Sequence, residues 1–237
     1  MIELIPAIDI IGGQCVRLTQ GDYAAKKVYD SHPAEVARQL ELLGFRRLHV
    51  VDLDGARSKH VANLDTLRDI TRTTRLTVDF GGGIKTDDDL EAALGAGAHM
   101  VTVGSTAVTE PRRMAAWLEK YGPERFILGA DVRAGKVSIN GWKEDSALEL
   151  IPFLKDYADK GVRNVLCTEI SRDGTLRGPD IDLYRKVIEA FPTMHLIASG
   201  GVGGNDDIRR LEEAGIPAVV FGKAFYEGKI NISELNL

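Results

Sequence analysis

Eight short apolar runs recur along the chain with longer amphipathic stretches between them. They are LIPAI (4–8), LHVV (48–51), LTV (76–78), MVTV (100–103), FILGA (126–130), VLC (165–167), LIAS (196–199) and AVVF (218–221). Segments such as PAEVARQLELLG (33–44), TDDDLEAALGAG (86–97) and NDDIRRLEEAG (205–215) carry apolar residues at helical spacing. Thr86 with Asp89 reads as a capping box, Asn205 as an N-cap, and Gly44, Gly97 and Gly215 fall where helices should end. Strands that alternate with helices pair in parallel, because a parallel neighbour needs a crossover. Eight such units predict an α/β fold, a single (β/α)8 TIM barrel over 1–237, and 237 residues suit that fold. An open doubly wound sheet is the alternative, and no proline- or serine-rich linker divides the chain.

The sequence also repeats itself. Gly82 and Gly83 in GGGI recur as Gly200 and Gly201 in SGGV, and the same interval separates Gly104 in VGS from Gly222 in FGK. Asp9 and Asp131 follow the first and fifth apolar runs, each with a glycine four residues later, Gly13 and Gly135. An internal half-barrel repeat is expected, with halves at about 1–120 and 121–237.

A formal charge of -5 argues against a nucleic-acid binder but leaves room for a local phosphate pocket. Cys15 and Cys167 have neither disulfide-framework nor zinc-ligand spacing, so no metal is expected and both read as packed thiols. MIELIPAIDI does not resemble a signal sequence, and nowhere do enough apolar residues run together to span a membrane. A cytoplasmic protein acting on a small molecule is expected, without membrane or nucleic-acid partners.

In a barrel the repeated positions lie at the C-terminal ends of strands, where barrel active sites are built. Glycines let backbone N–H groups approach an anion closely. Gly82, Gly83, Gly104 and Ser105 form one such cluster, and Gly200, Gly201, Gly222 and Lys223 form another, assisted by a short helix expected in KAFYEG. Two clusters suggest a ligand with two phosphates, although tight βα turns also use glycine for steric reasons. Lys85 can add charge beside the first cluster or be solvated. Asp9 and Asp131 place carboxylates across the barrel mouth, where they can divide acid and base roles or cap loop amides. Asp52 and Thr168 are read as equivalent strand ends, with Asp52 ordering a loop and Thr168 donating a hydrogen bond to substrate. Asp173, in SRDGT, belongs to a loop that can close over ligand or form an Asx turn. Trp142, in NGWKED, can stack on a planar ring. Arg17 can bind an anion or pair with an acid, while Tyr23 and His60 stay unassigned. The segments 12–30 and 133–146 are read as loops that fold over ligand.

The motifs LIPAIDIIGGQCVRLTQGDY, HVVDLDGAR, FGGGIKT, VGSTAV, GADVRAGKVSINGW, TEISRDGTLRGPDIDLY and ASGGV occur in that order along essentially the whole chain. They resemble the phosphoribosylformimino-aminoimidazole carboxamide ribotide (ProFAR) isomerase family of histidine biosynthesis. The resemblance implies a cofactor-free Amadori rearrangement of an aminoaldose bearing a phosphate at each end; separately, a monomer is expected. It implies Asp9 as the base at the sugar C2, and Asp131 as the acid for ring opening, with Asp173 sharing that candidacy. Thr168 positions the sugar, Trp142 stacks on substrate and Arg17 contacts it. The chain departs from the family pattern at Lys85, usually arginine, at Glu169, commonly aspartate, and in the VDF that precedes the glycines. A bifunctional relative that also isomerises phosphoribosyl anthranilate shares nearly every motif, whereas the sister cyclase lacks VRLTQGD and SRDGTLRGP. A non-catalytic barrel that binds a bisphosphorylated metabolite is the reading from another class.

Overall fold

The computed structural model describes residues 1–19, 22–30 and 32–235; the side chains at 17, 19 and 22–25 lie outside that description. Its strands are β1 (Glu3–Ile11), β2 (Gln14–Thr19), β3 (Asp22–Asp30), β4 (Arg47–Asp52), β5 (Thr77–Gly81) and β6 (Met100–Val103). They continue with β7 (Phe126–Arg133), β8 (Lys136–Ile139), β9 (Glu144–Glu149), β10 (Asn164–Glu169), β11 (His195–Ser199) and β12 (Ala218–Phe221). Eight of them close into a parallel ring in the order β1, β4, β5, β6, β7, β10, β11, β12, with β12 pairing back onto β1. All eight apolar runs are barrel strands, and the fold is a (β/α)8 TIM barrel.

The helices are α1 (Pro33–Leu42), α2 (Leu53–Ser58), α3 (Leu64–Thr73), α4 (Asp87–Gly95) and α5 (Ser105–Thr109). After these come α6 (Pro111–Tyr121), α7 (Leu150–Asp159), α8 (Ile181–Ala190), α9 (Asn205–Glu213) and α10 (Lys223–Tyr226). None of the described helices is long and apolar enough to cross a membrane. Their apolar faces pack on the outside of the barrel, where Leu40, Leu67, Ile70, Leu90 and Leu211 are fully buried. The capping box is present: the Asp89 amide donates to Thr86 Oγ1 at 3.2 Å and the Thr86 amide to Asp89 Oδ2 at 2.9 Å. Asn205, expected as an N-cap, is instead the first helical residue, preceded by Gly204. Its side chain serves the C-terminal segment, donating from Nδ2 to Asn231 O at 2.8 Å and accepting from the Asn231 amide at 3.0 Å.

The segments 12–30 and 133–146, read above as loops, are largely antiparallel hairpins that extend β1 and β7 upward from the barrel. The reason is a turn signature in each. Gly12-Gly13 have φ 58 and 72°, and Ala134-Gly135 have φ 50 and 79°. Two successive positive φ values suit the tight turns whose twist matches that of the flanking strands. Arg17 therefore lies on β2, opposite Lys27, and its side chain is outside the described residues.

The repeated glycines match in conformation. Gly82 and Gly83 have φ 99 and 84°, and Gly200 and Gly201 have φ 99 and 88°. A Cβ on Gly82 would collide with the Asp52 carbonyl, and one on Gly200 would approach the Glu169 carbonyl to 2.9 Å. Asp52 therefore corresponds to Glu169, and Thr168 to Val51, which corrects the pairing of Asp52 with Thr168. Both acids are buried and structural. Asp52 accepts from the amides of Gly55, Ala62 and Asn63 and from Asn63 Nδ2. Glu169 accepts from the amide and hydroxyl of Ser171. Replacing Asp52 by Ala strands those buried donors, and a loss of about 3 kcal/mol of stability in urea unfolding is expected. An unchanged midpoint would show that the loop stands without it.

Candidate active site

Strand alternation decides what enters the barrel. Ile5, Ala7, Ile127, Leu166, Ile197, Ala218 and Val220 form an apolar interior cluster. Two residues further along their strands from Ala7, Leu166 and Ile197, the same inner faces present Asp9, Thr168 and Ser199 to a cavity of about 480 Å³ at the C-terminal mouth. Asp131 joins them, next to Thr168 in the β7–β10 register. β1 and β7 are four strands apart in a ring of eight, so Asp9 and Asp131 face each other across the mouth. The glycine loops follow β5 and β6 on one side and β11 and β12 on the opposite side.

The cavity is lined by Asp9, Gly82, Gly83, Gly104, Ser105, Asp131, Trp142, Thr168, Asp173, Gly200, Gly201, Gly222 and Lys223. The structure thus brings together the catalytic and substrate-binding residues expected from the sequence, except Arg17, whose side chain is not described. The hairpins reach it too, through Leu18 and through Asn140 to Glu144. Ser105 Oγ accepts from the Asn140 amide at 3.0 Å, tying the second hairpin to the first glycine cluster. Glycine at 82, 83, 200 and 201 is required first by backbone behind the loops: a Cβ on Gly83 would meet His60 O at 2.7 Å, and one on Gly201 the Gly178 carbonyl.

Burial pushes the Asp131 carboxyl above the ordinary aspartate range; the Trp142 and Thr168 side chains and His49 oppose the rise, and Asp173 reinforces it. Trp142, expected as a stacking surface, also acts on the charge state of Asp131. Its backbone is left-handed, with φ 69°, in the turn between β8 and β9. Asp173 sits after β10, its amide donating to the Glu169 and Ile170 carbonyls at 3.2 Å each. Lys223 Nζ donates to the Gly174 carbonyl at 2.8 Å, so it pins the Asp173 loop as well as lining the second glycine site.

Around the first glycine site stand Arg57, Lys59 and Lys85. Burial lowers the affinity of the Lys85 amine for its proton, neighbouring Lys59 lowers it further, and Glu110 opposes both. Two crowded ammonium groups lining a cavity suit an anion placed between them. Sequence reasoning missed Lys59, whose φ of 65° ends α2, and it missed His49 in the cavity floor. His49 Nδ1 lies 2.5 Å from Asp79 Oδ1, and both side chains are buried. The signal available was a lone polar residue inside each of two apolar strands, LHVV and VDF. Among the described residues no group of three or more His, Cys, Asp or Glu could hold a metal ion.

Comparison with known proteins adds to this geometry. The family model described as "Histidine biosynthesis protein" matches residues 3–231. A protein of Phocaeicola vulgatus is 61% identical over 236 residues, covering 100% of this chain and 99% of its own length. One of Bacteroides thetaiotaomicron is 58% identical over 237 residues with the same coverage. One of Cytophaga hutchinsonii is 48% identical over 235 residues, 99% of this chain and 98% of its own. Each of the three is named 1-(5-phosphoribosyl)-5-((5-phosphoribosylamino)methylideneamino)imidazole-4-carboxamide isomerase.

Proposed function

This chain belongs to the histidine biosynthesis protein family, and on that premise we propose that it isomerises ProFAR, the bisphosphorylated aminoaldose named for its relatives, to the corresponding aminoketose. One observation carries the reading: two carboxylates, Asp9 and Asp131, face each other across a mouth whose other two sides are matched glycine loops. A ligand with a phosphate on each loop spans the cavity and lays its central sugar between the carboxylates.

The chemistry follows from that placement. Protonation of the ring oxygen breaks its bond to C1 and leaves an iminium, which acidifies the hydrogen on C2. A carboxylate takes that proton to give an enaminol, and protonation at C1 with loss of the hydroxyl proton at C2 gives the ketose. Asp131, whose proton is held more tightly than an ordinary aspartate's, suits the acid; Asp9 suits the base. Thr168, beside Asp131, reaches the sugar oxygens, and Trp142, on the same cavity wall, offers its ring face to the imidazole. Gly82, Gly83, Gly104 and Ser105 take one phosphate with Lys59 and Lys85; Gly200, Gly201, Gly222 and Lys223 take the other. Arg17 acts from the first hairpin, and both hairpins close over the ligand.

The test is direct. The purified protein is given ProFAR and, separately, phosphoribosyl anthranilate, and product is followed. Turnover of ProFAR is expected, and a folded protein that leaves it unchanged contradicts the proposal. Lys85→Ala is expected to raise KM by roughly tenfold while kcat holds within about twofold, because a phosphate contact binds ground state and transition state alike. An unchanged KM would remove Lys85 from the site.

A further inference from the structure

Below Asp9 the barrel interior holds a line of charged side chains that the proposed chemistry leaves unused. Arg47 and His49 enter from β4 and Asp79 from β5, on the side of the barrel opposite Leu166 and Ile197. Arg47 Nη1 donates to Glu3 Oε2 at 2.9 Å, and its Nη2 lies 3.6 Å from Asp79 Oδ2. Asp79 Oδ1 accepts from Thr102 Oγ1 at 3.1 Å and faces His49 Nδ1 at 2.5 Å. Charges in a barrel core are costly to desolvate, and removing one partner leaves the other stranded. His49 is the member of the line that reaches the cavity.

We propose that His49 is a positioning residue, an imidazolium held by Asp79 whose charge faces Asp9 and keeps that carboxylate in its base form. The inference rests on the reading of Asp9 as the base. A carboxylate oxygen can only accept, so Nδ1 carries a hydrogen, and the ring is cationic once its other nitrogen carries one too. The surroundings favour that state. Asp79 faces the ring from β5, Asp9 from β1, and Asp131 interacts with it from β7, while the opposing cation, Arg47 on the same strand, is itself paired with Glu3. Burial works against the charged ring, but Asp79 and then Asp9 outweigh it, and the ring binds its proton more tightly than an ordinary histidine. Interaction between two sites is mutual, so the charge that Asp9 favours on His49 favours the ionised form of Asp9 in return. The two carboxyls differ in surroundings: Asp9 lies on β1 one inward position beyond Ala7, the register partner of His49, whereas for Asp131 burial, Trp142, Thr168 and Asp173 all weigh more than His49.

Two measurements on the whole protein test this. The first is nitrogen NMR of the histidine rings, with His49 identified among the five histidines by its loss in His49→Gln. In the unmutated protein the His49 ring is expected to carry both hydrogens at pH values above the ordinary histidine value of about 6.5. A neutral ring at pH 7 overturns the proposal, and needs no stable variant beyond the one used for assignment. The second is the pH profile of kcat/KM for His49→Gln and Asp79→Asn. Both are expected to move the base limb upward by about one pH unit, with KM little changed. A profile that drops in height with its limb in place marks a structural role and also overturns it. If the protein does not turn over ProFAR, the functional reading fails by itself, and the carbon NMR titration of the Asp9 carboxyl in the same variants still decides the case for His49.

Discussion

Asp9→Asn is expected to lower kcat by about a thousandfold while substrate binding stays within a few-fold of the parent protein. Asparagine matches the shape of aspartate but cannot take a proton from carbon. The groups proposed to hold the phosphates follow β4, β5, β6, β11 and β12, whereas Asp9 lies on β1, so binding and proton transfer are physically separate. The loss therefore falls equally on kcat and kcat/KM, the signature of a contact made only in the transition state. Turnover near the parental rate would remove Asp9 from the role of base, and equal loss of binding would move it into the phosphate machinery.

Asp131→Asn carries the second large effect, a fall in kcat of about a hundredfold or more, together with a gain in stability of the opposite sense. An acid must hold its proton before it can give it, so the parent rate falls as pH rises through the Asp131 titration, and that limb should vanish in the variant. The folded protein binds the Asp131 proton more tightly than the unfolded chain does. Its contribution to stability is then fully present below the unfolded aspartate value of about 3.9 and is lost as pH rises through the higher folded value. Asparagine, which never ionises, avoids that loss. Melting temperature at pH 7 is expected to be higher in Asp131→Asn than in the parent, and the difference should shrink toward pH 4. Asp173→Asn is the control: if it shows the larger rate loss and removes the limb, the acid is Asp173, and Asp131 serves to position Trp142.

The barrel was legible because its strands are buried on both faces and so read as continuous apolar runs, of which MVTV and AVVF match their strands residue for residue. β9, EDSALE, is exposed along nearly its whole length and offers no such run, so the second hairpin read as a loop. The mouth was legible because a glycine pair and a carboxylate at a strand end recur in order. What the glycines do was only half visible. The backbone carbonyls of Asp52, at the end of β4, and of Gly178, in the loop before α8, leave no space for a Cβ at positions 82 and 201 and are brought there by the closed ring. The influence of Trp142 on Asp131 depends on a left-handed turn residue that pattern alone does not reveal. His49 and Asp79 are distant in sequence and become partners because β4 and β5 pair in a register that sets one opposite the other.

A structure of Asp9→Asn soaked with ProFAR tests the central claim most directly, since binding is retained and turnover is not. One phosphate is expected on the amides of Gly82, Gly83 and Gly104 and the other on those of Gly200, Gly201 and Gly222. The sugar C2 should lie about 3.5 Å from the substituted side chain at position 9, with Asp131 on the opposite face. A substrate held by one loop alone, or one whose C2 faces away from position 9, would contradict it.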